Sequence, residues 1–202
     1  MTGRVPVPSK KSIRKHLARW EAEEKYTLPV GALSLLFADL CPQNTDMESV
    51  LLKVCALNDL FSTSIYDTYT VSKHILDLDI DARLQKPDLR LVNDIAEVNL
   101  NGKMWRFYSF ASKYCSHHQP DSYPIYDSFV DKMLKHYRKT DNFEKFANKE
   151  LKDYPRFIEI IESLRKHYEV AEFSLRELDI FLWLAGKDNF PTKRPTKKRS
   201  AN

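Results

Sequence analysis

Glycine is scarce enough in this chain to decide much of its architecture. There are four glycines in 202 residues, about 2% where roughly 7% is usual. Gly3 lies near the start, so only Gly31, Gly102 and Gly186 remain to build tight backbone. A doubly wound nucleotide-binding fold needs Gly-rich phosphate turns, and an antiparallel sandwich needs many tight turns. Neither can be built here. The expected fold is all-α, a single helical domain over 12–186, with helices joined by Pro, Asn and Asp turns. A flexible basic lead over 1–11 is expected before it and a basic, disordered tail over 187–202 after it. With 43% apolar and 30% charged residues, the chain has the composition of a globular protein.

Other classes fall away on simple grounds. The cysteines Cys41, Cys55 and Cys115 are odd in number, widely spaced and form no CxxC pair. A disulfide framework and a zinc finger are therefore not expected, and the composition fits a reducing, cytoplasmic compartment. The basic N-terminal stretch has no following apolar run of a secretory signal. The longest apolar stretch, Ala32 to Leu40, is interrupted by Ser34 and Asp39 and is too short for a bilayer, so no membrane association is expected.

Helical periodicity and caps set out the chain. Thr45 or Asp46 is placed to cap a helix with Val50, Val54, Leu57 and Phe61 on one stripe. A break falls at Ser62-Thr63-Ser64. Tyr126, Phe129, Val130, Met133, Leu134 and Tyr137 form a second stripe, and Phe157, Ile160, Ile161, Leu164 and Tyr168 a third. Ser174 and Glu177 make a capping-box pattern for a last helix, with Gly186 as its stop. Asn101-Gly102 has hairpin character, but its flanks alternate poorly, and a helix is expected from Met104 to about His117. On that helix Lys113 falls opposite the stripe of Met104, Phe107, Tyr108, Ala111, Tyr114 and Cys115. Trp20 and Trp183 read as packing residues.

Chemistry is densest between Lys103 and Val130. Lys113 sits on one helix, and Asp127 opens the next, where the helix N-terminus keeps a carboxylate ionised. An amine attacks only when neutral, and a free lysine has a pKa near about 10.4. Burial among aromatic groups lowers that value. Cys115, on the apolar stripe, is expected to be inert, and Cys115-Ser116-His117-His118 has no further ligand at metal-binding spacing. No metal or other cofactor is expected.

The runs Phe110-Ala111-Ser112-Lys113 and Tyr123-Pro124-Ile125-Tyr126-Asp127-Ser128-Phe129-Val130 resemble the core of the helix-hairpin-helix DNA glycosylases, nearest to their 8-oxoguanine branch. Leu57 to Ile65 is similar to that family's helix–polar turn–helix passage. The resemblance covers about Val50 to Tyr137. It implies excision of a modified base from double-stranded DNA after flipping that base out of the stack. Lys113 would be the Schiff-base nucleophile and Asp127 the essential acid, with strand cleavage able to follow. Ser62, Thr63 or Ser64 would enter the base stack, and Lys103, Arg106 and Lys132 would meet phosphates. In two respects the chain differs from the family. Its hairpin region has no Gly-x-Gly turn, since no glycine lies between Gly102 and Gly186, and Lys113 and Asp127 are only 14 positions apart. A non-catalytic helical module on the same scaffold, binding nucleic acid or protein, is the alternative expectation.

Overall fold

The computed structural model of the protein describes residues 5–190. Among them are ten α-helices and one two-stranded hairpin, so the fold is all-α. The tail from 191 onward lies outside the described residues.

The chain enters through α1 (Lys10–Glu21), capped by Ser9, whose side chain accepts the N–H of Ser12. The lead is tied down over its described part: Pro8 is buried, and the Tyr137 hydroxyl donates to the Pro6 carbonyl at 2.5 Å. Helix α2 (Glu24–Ser34) passes through Pro29 into a π-helical turn, Leu35–Leu40. Helix α3 (Met47–Phe61) is capped by Asp46 and ends at Ser62, whose φ of 49° is left-handed. After α4 (Thr68–Asp77) and the short α5 (Asp81–Gln85) and α6 (Leu91–Ala96), the chain forms the hairpin.

The hairpin pairs β1 (Glu97–Leu100) with β2 (Lys103–Arg106), with Leu100 opposite Lys103 across Asn101-Gly102. Both turn residues have positive φ, as a two-residue hairpin loop requires. The helix expected from Met104 therefore begins later, as α7 (Tyr108–His118). The pattern concealed the strands because all four β2 residues are exposed and only Val98 of β1 is buried.

The second half follows the periodicity closely. Helix α8 (Ser128–Asp141) buries Val130, Met133, Leu134 and Tyr137. Helix α9 (Tyr154–His167) buries Phe157, Ile160, Ile161 and Leu164. Helix α10 (Leu175–Asn189) starts with the capping box of Ser174 and Glu177. It does not stop at Gly186. A Cβ there would lie 2.7 Å from Phe129 Cβ and 2.9 Å from Phe129 O, so this glycine is where α10 meets the start of α8. Helices α1 and α10, and α10 and α8, pack side by side.

Candidate functional site

Helix α7 is surrounded by protein. Every residue from Phe110 to Ser116 is buried; the helix packs on α6, α3 and the π-helical turn, and Lys113, opposite the apolar stripe, is buried with the rest. Lys113 is 5% exposed. Its amine donates to Ser109 Oγ at 2.5 Å and lies 3.4 Å from the Ser109 carbonyl oxygen. It also stands 5.9 Å from the centre of the Phe61 ring. Burial holds the amine below the ordinary lysine range; the carboxylates of Asp127 and Asp179 act against that shift and Arg176 adds to it.

Asp127 caps α8, accepting the Phe129 N–H on Oδ1 at 2.7 Å. The extended segment leading to it is fastened from three sides. Ser112 Oγ accepts the Tyr126 N–H at 3.1 Å, Asp179 Oδ2 accepts the Ile125 N–H at 2.9 Å, and the Tyr154 hydroxyl donates to the Pro124 carbonyl at 2.7 Å. Three side chains from three helices thus fix where Asp127 begins its helix.

Lys113, Asp127, Phe61 and Ser62 together border two hollows. The first is a chamber of about 300 Å³. Its far wall is aromatic: Trp20 and Tyr26 stack with centroids 5.3 Å apart, and Trp183 meets both edge-on. Arg176, Asp179 and Lys187 supply its polar groups. The second hollow is an open cleft of about 480 Å³ carrying Lys132, Lys135 and Lys152 beside Asp131. Lys135 is paired with Asp131 at 2.6 Å, and Lys152 lies 4.3 Å over the Tyr126 ring.

The left-handed turn after α3 forms a lip shared by both hollows. Asn58 pins it, accepting the Thr63 hydroxyl at 2.8 Å and the Ile65 N–H at 2.9 Å while donating to the Ile65 carbonyl at 3.0 Å. Ser62 and Thr63 line the cleft, whereas Ser64 borders neither hollow. Of the expected phosphate contacts, Lys132 lines the cleft. Lys103 and Arg106 stand on the hairpin outside both hollows. Lys103 covers the Trp105 ring at 4.8 Å, and Arg106 is bound to Glu97 at 2.7 Å. Arg106 was expected on α7; the hairpin moves it away.

Sequence reasoning assigned Trp20 and Trp183 to packing and overlooked Tyr26, Arg176 and Asp179. No local signal brings them together, because α1, α2 and α10 meet only in the folded chain. Cys115 is fully buried, and burial pushes its thiol up, as expected of an inert cysteine.

The molecule is an all-α protein with a buried lysine and a helix-capping aspartate where an aromatic chamber meets a basic cleft. Residues 12–122 match the model of the HI_0787_N family, described as an N-terminal domain. A protein of Haemophilus influenzae, described only as uncharacterized, is 43% identical over 152 residues, which is 75% of this chain and 73% of that one. The chain belongs to this family. Its matched region takes in Lys113 and ends before Asp127. No solved structure gives a significant match.

Proposed function

We propose that this protein is a DNA glycosylase of the helix-hairpin-helix kind, removing a modified base from DNA through a Schiff base on Lys113. One observation carries the reading: the buried amine of Lys113 and the carboxylate of Asp127 share the wall of an aromatic chamber of about 300 Å³. That is the lower end of the size range of small-molecule sites, and aromatic walls suit the two faces of a flipped base.

The chemistry follows from the groups present. A neutral Lys113 amine attacks C1′ of the nucleotide sugar, and the bond from C1′ to the base breaks. The base leaves with that bonding pair and takes up a proton. Ring opening converts the amine adduct to an imine, which water hydrolyses or which loses the 3′ phosphate by elimination. The carboxylate of Asp127, at the start of α8, balances positive charge growing on the sugar. The lysines of the cleft are suited to the flanking phosphates, and Ser62 and Thr63 stand where the strand would enter. Base oxidation products are the first substrates to test, given the resemblance to the 8-oxoguanine branch. The free thiols of Cys41, Cys55 and Cys115 fit a cytoplasmic setting. Among the described residues no helix is long and apolar enough to cross a membrane.

The connection between α7 and α8 has no glycine with which to seat a phosphate on bare backbone. This favours a second reading, a non-catalytic nucleic-acid-binding module. Incubating the protein with duplexes bearing single defined lesions separates the two. Release of a free base from any of them supports the enzyme. Salt-dependent duplex binding without release supports the module, and neither result leaves any nucleic-acid role.

A further inference from the structure

Helix α10 brings two opposite charges to the chamber that the proposed reaction does not use. Arg176 and Asp179 lie one turn apart, joined by a 2.9 Å hydrogen bond from Arg176 Nη1 to Asp179 Oδ1. Asp179 is 3% exposed. An arginine and a backbone N–H occupy its two oxygens as donors; burial pushes the carboxyl above the ordinary carboxylate range, and these two donors act against that shift. Both residues line the chamber together with Lys113.

We propose that Arg176 and Asp179 are positioning residues for this site: Asp179 holds the segment that delivers Asp127, and the two opposed charges act in opposite senses on the amine of Lys113 across the shared chamber wall. The inference rests on reading Lys113 as the reactive amine. The first part is direct, because the N–H that Asp179 holds belongs to Ile125, two residues before Asp127. The second part follows from the surroundings of the amine. Among the described residues its hydrogen bonds go to Ser109 alone, and no carboxylate there fixes its charge by contact. In such a buried place charges that share the chamber wall keep their influence, because little water screens them.

The charges facing Lys113 can be assigned by element. From α8 come Asp127 and, across the open cleft, Asp131, Lys132 and Lys135, with Lys152 beyond them. From α10 come Arg176, Asp179 and Lys187, and from α2 Lys25, the two lysines lying over the Tyr26 ring. His117 lies one turn along α7 itself and is held neutral by burial. Asp179 favours the ammonium and Arg176 the neutral amine. Asp179 is buried and Arg176 half-buried beside it, whereas the cleft that carries the lysines is open to solvent, where screening is stronger.

The test reads the amine directly and needs no substrate. The intact protein is acetylated with trace acetic anhydride at intervals between about pH 6 and pH 10. Peptide mass spectrometry follows Lys113, with exposed Lys103 as the internal reference. Asp179→Asn keeps an oxygen for Ile125 but removes the charge, and its Lys113 midpoint is expected to move down by about half a unit or more. Arg176→Gln is expected to move it up by a similar amount. A purely structural pair would produce no shift, or shifts of one sign; either result overturns the proposal. Should Asp179→Asn not fold, Arg176→Gln decides alone, an upward shift supporting the proposal and an unmoved midpoint ending it. Opposed shifts without base release would uphold this pair and reject base excision, and base release with unmoved midpoints would do the reverse.

Discussion

Ser112 and Tyr126 fix the two halves of the site in register. The Ser112 hydroxyl accepts the Tyr126 N–H at 3.1 Å and lies 3.3 Å from the Tyr126 carbonyl oxygen. Each residue immediately precedes a functional candidate, Lys113 in one case and Asp127 in the other. The contact therefore couples the placement of amine and acid across the turn from α7 to α8. Ser112→Ala leaves a buried N–H without a partner, and the expected loss is about 1–3 kcal/mol. Chemical denaturation of the variant checks this, and a change below about 0.3 kcal/mol would contradict the contact's role.

Gly186 is expected to resist any side chain. In Gly186→Ala the new methyl would press on the Phe129 Cβ and backbone oxygen, forcing α10 away from the first turn of α8. Overpacking of this kind costs about 1–3 kcal/mol. Thermal unfolding should show a lowered midpoint. A helix-stop role would leave the midpoint unchanged or raise it, because alanine favours helix.

Tyr108 offers a gain. Its buried hydroxyl has no hydrogen-bond partner among the described residues, while its ring packs on Tyr126 at 4.8 Å. Tyr108→Phe removes the stranded hydroxyl and keeps the ring, so stability should rise by about 1 kcal/mol. A loss of similar size in equilibrium denaturation would show that the hydroxyl is satisfied in solution.

Acid should weaken the fold before it reaches the carboxylates. Burial drives His117 and His118 down to about 3, so the native chain keeps them neutral while the unfolded chain takes up protons near pH 6.5. Their contribution is complete above about pH 6.5 and declines as pH falls toward 3, each histidine giving at most about 1.4 kcal/mol per pH unit. His118 supports this sign, since its Nε2 lies 3.2 Å from the Asn44 amide nitrogen, a position for a neutral acceptor. Unfolding midpoints measured between pH 7 and pH 5 should fall, and His117→Gln should flatten the decline. An unchanged slope in that variant would remove His117 from the account.

The later helices were readable because their stripes and caps agree: Ser174 and Glu177 form the box that their spacing implies. That Lys113 and Asp127 border the same hollows follows from their flanking one turn. What escaped had physical causes. Lys113 was placed opposite the apolar stripe of its own helix, yet it is buried as that stripe is, and a sequence does not state how many neighbours a helix has. Trp20 and Trp183 form a chamber wall only because α1 and α10 pack together across 163 positions of chain. Glycine at 186 serves a close approach and not a stop, two uses that a single letter does not distinguish. The exposed hairpin had no buried face from which a period of two could be read.

The central claim is that the Lys113 amine bonds to a nucleotide sugar inside this site. Borohydride reduction during incubation with lesion-bearing and abasic duplexes, followed by mass spectrometry of the digested adduct, tests it most directly. The account predicts a covalent protein–DNA product mapped to Lys113 and lost in Lys113→Gln. A product carried by another residue, or none with any duplex tried, would contradict it.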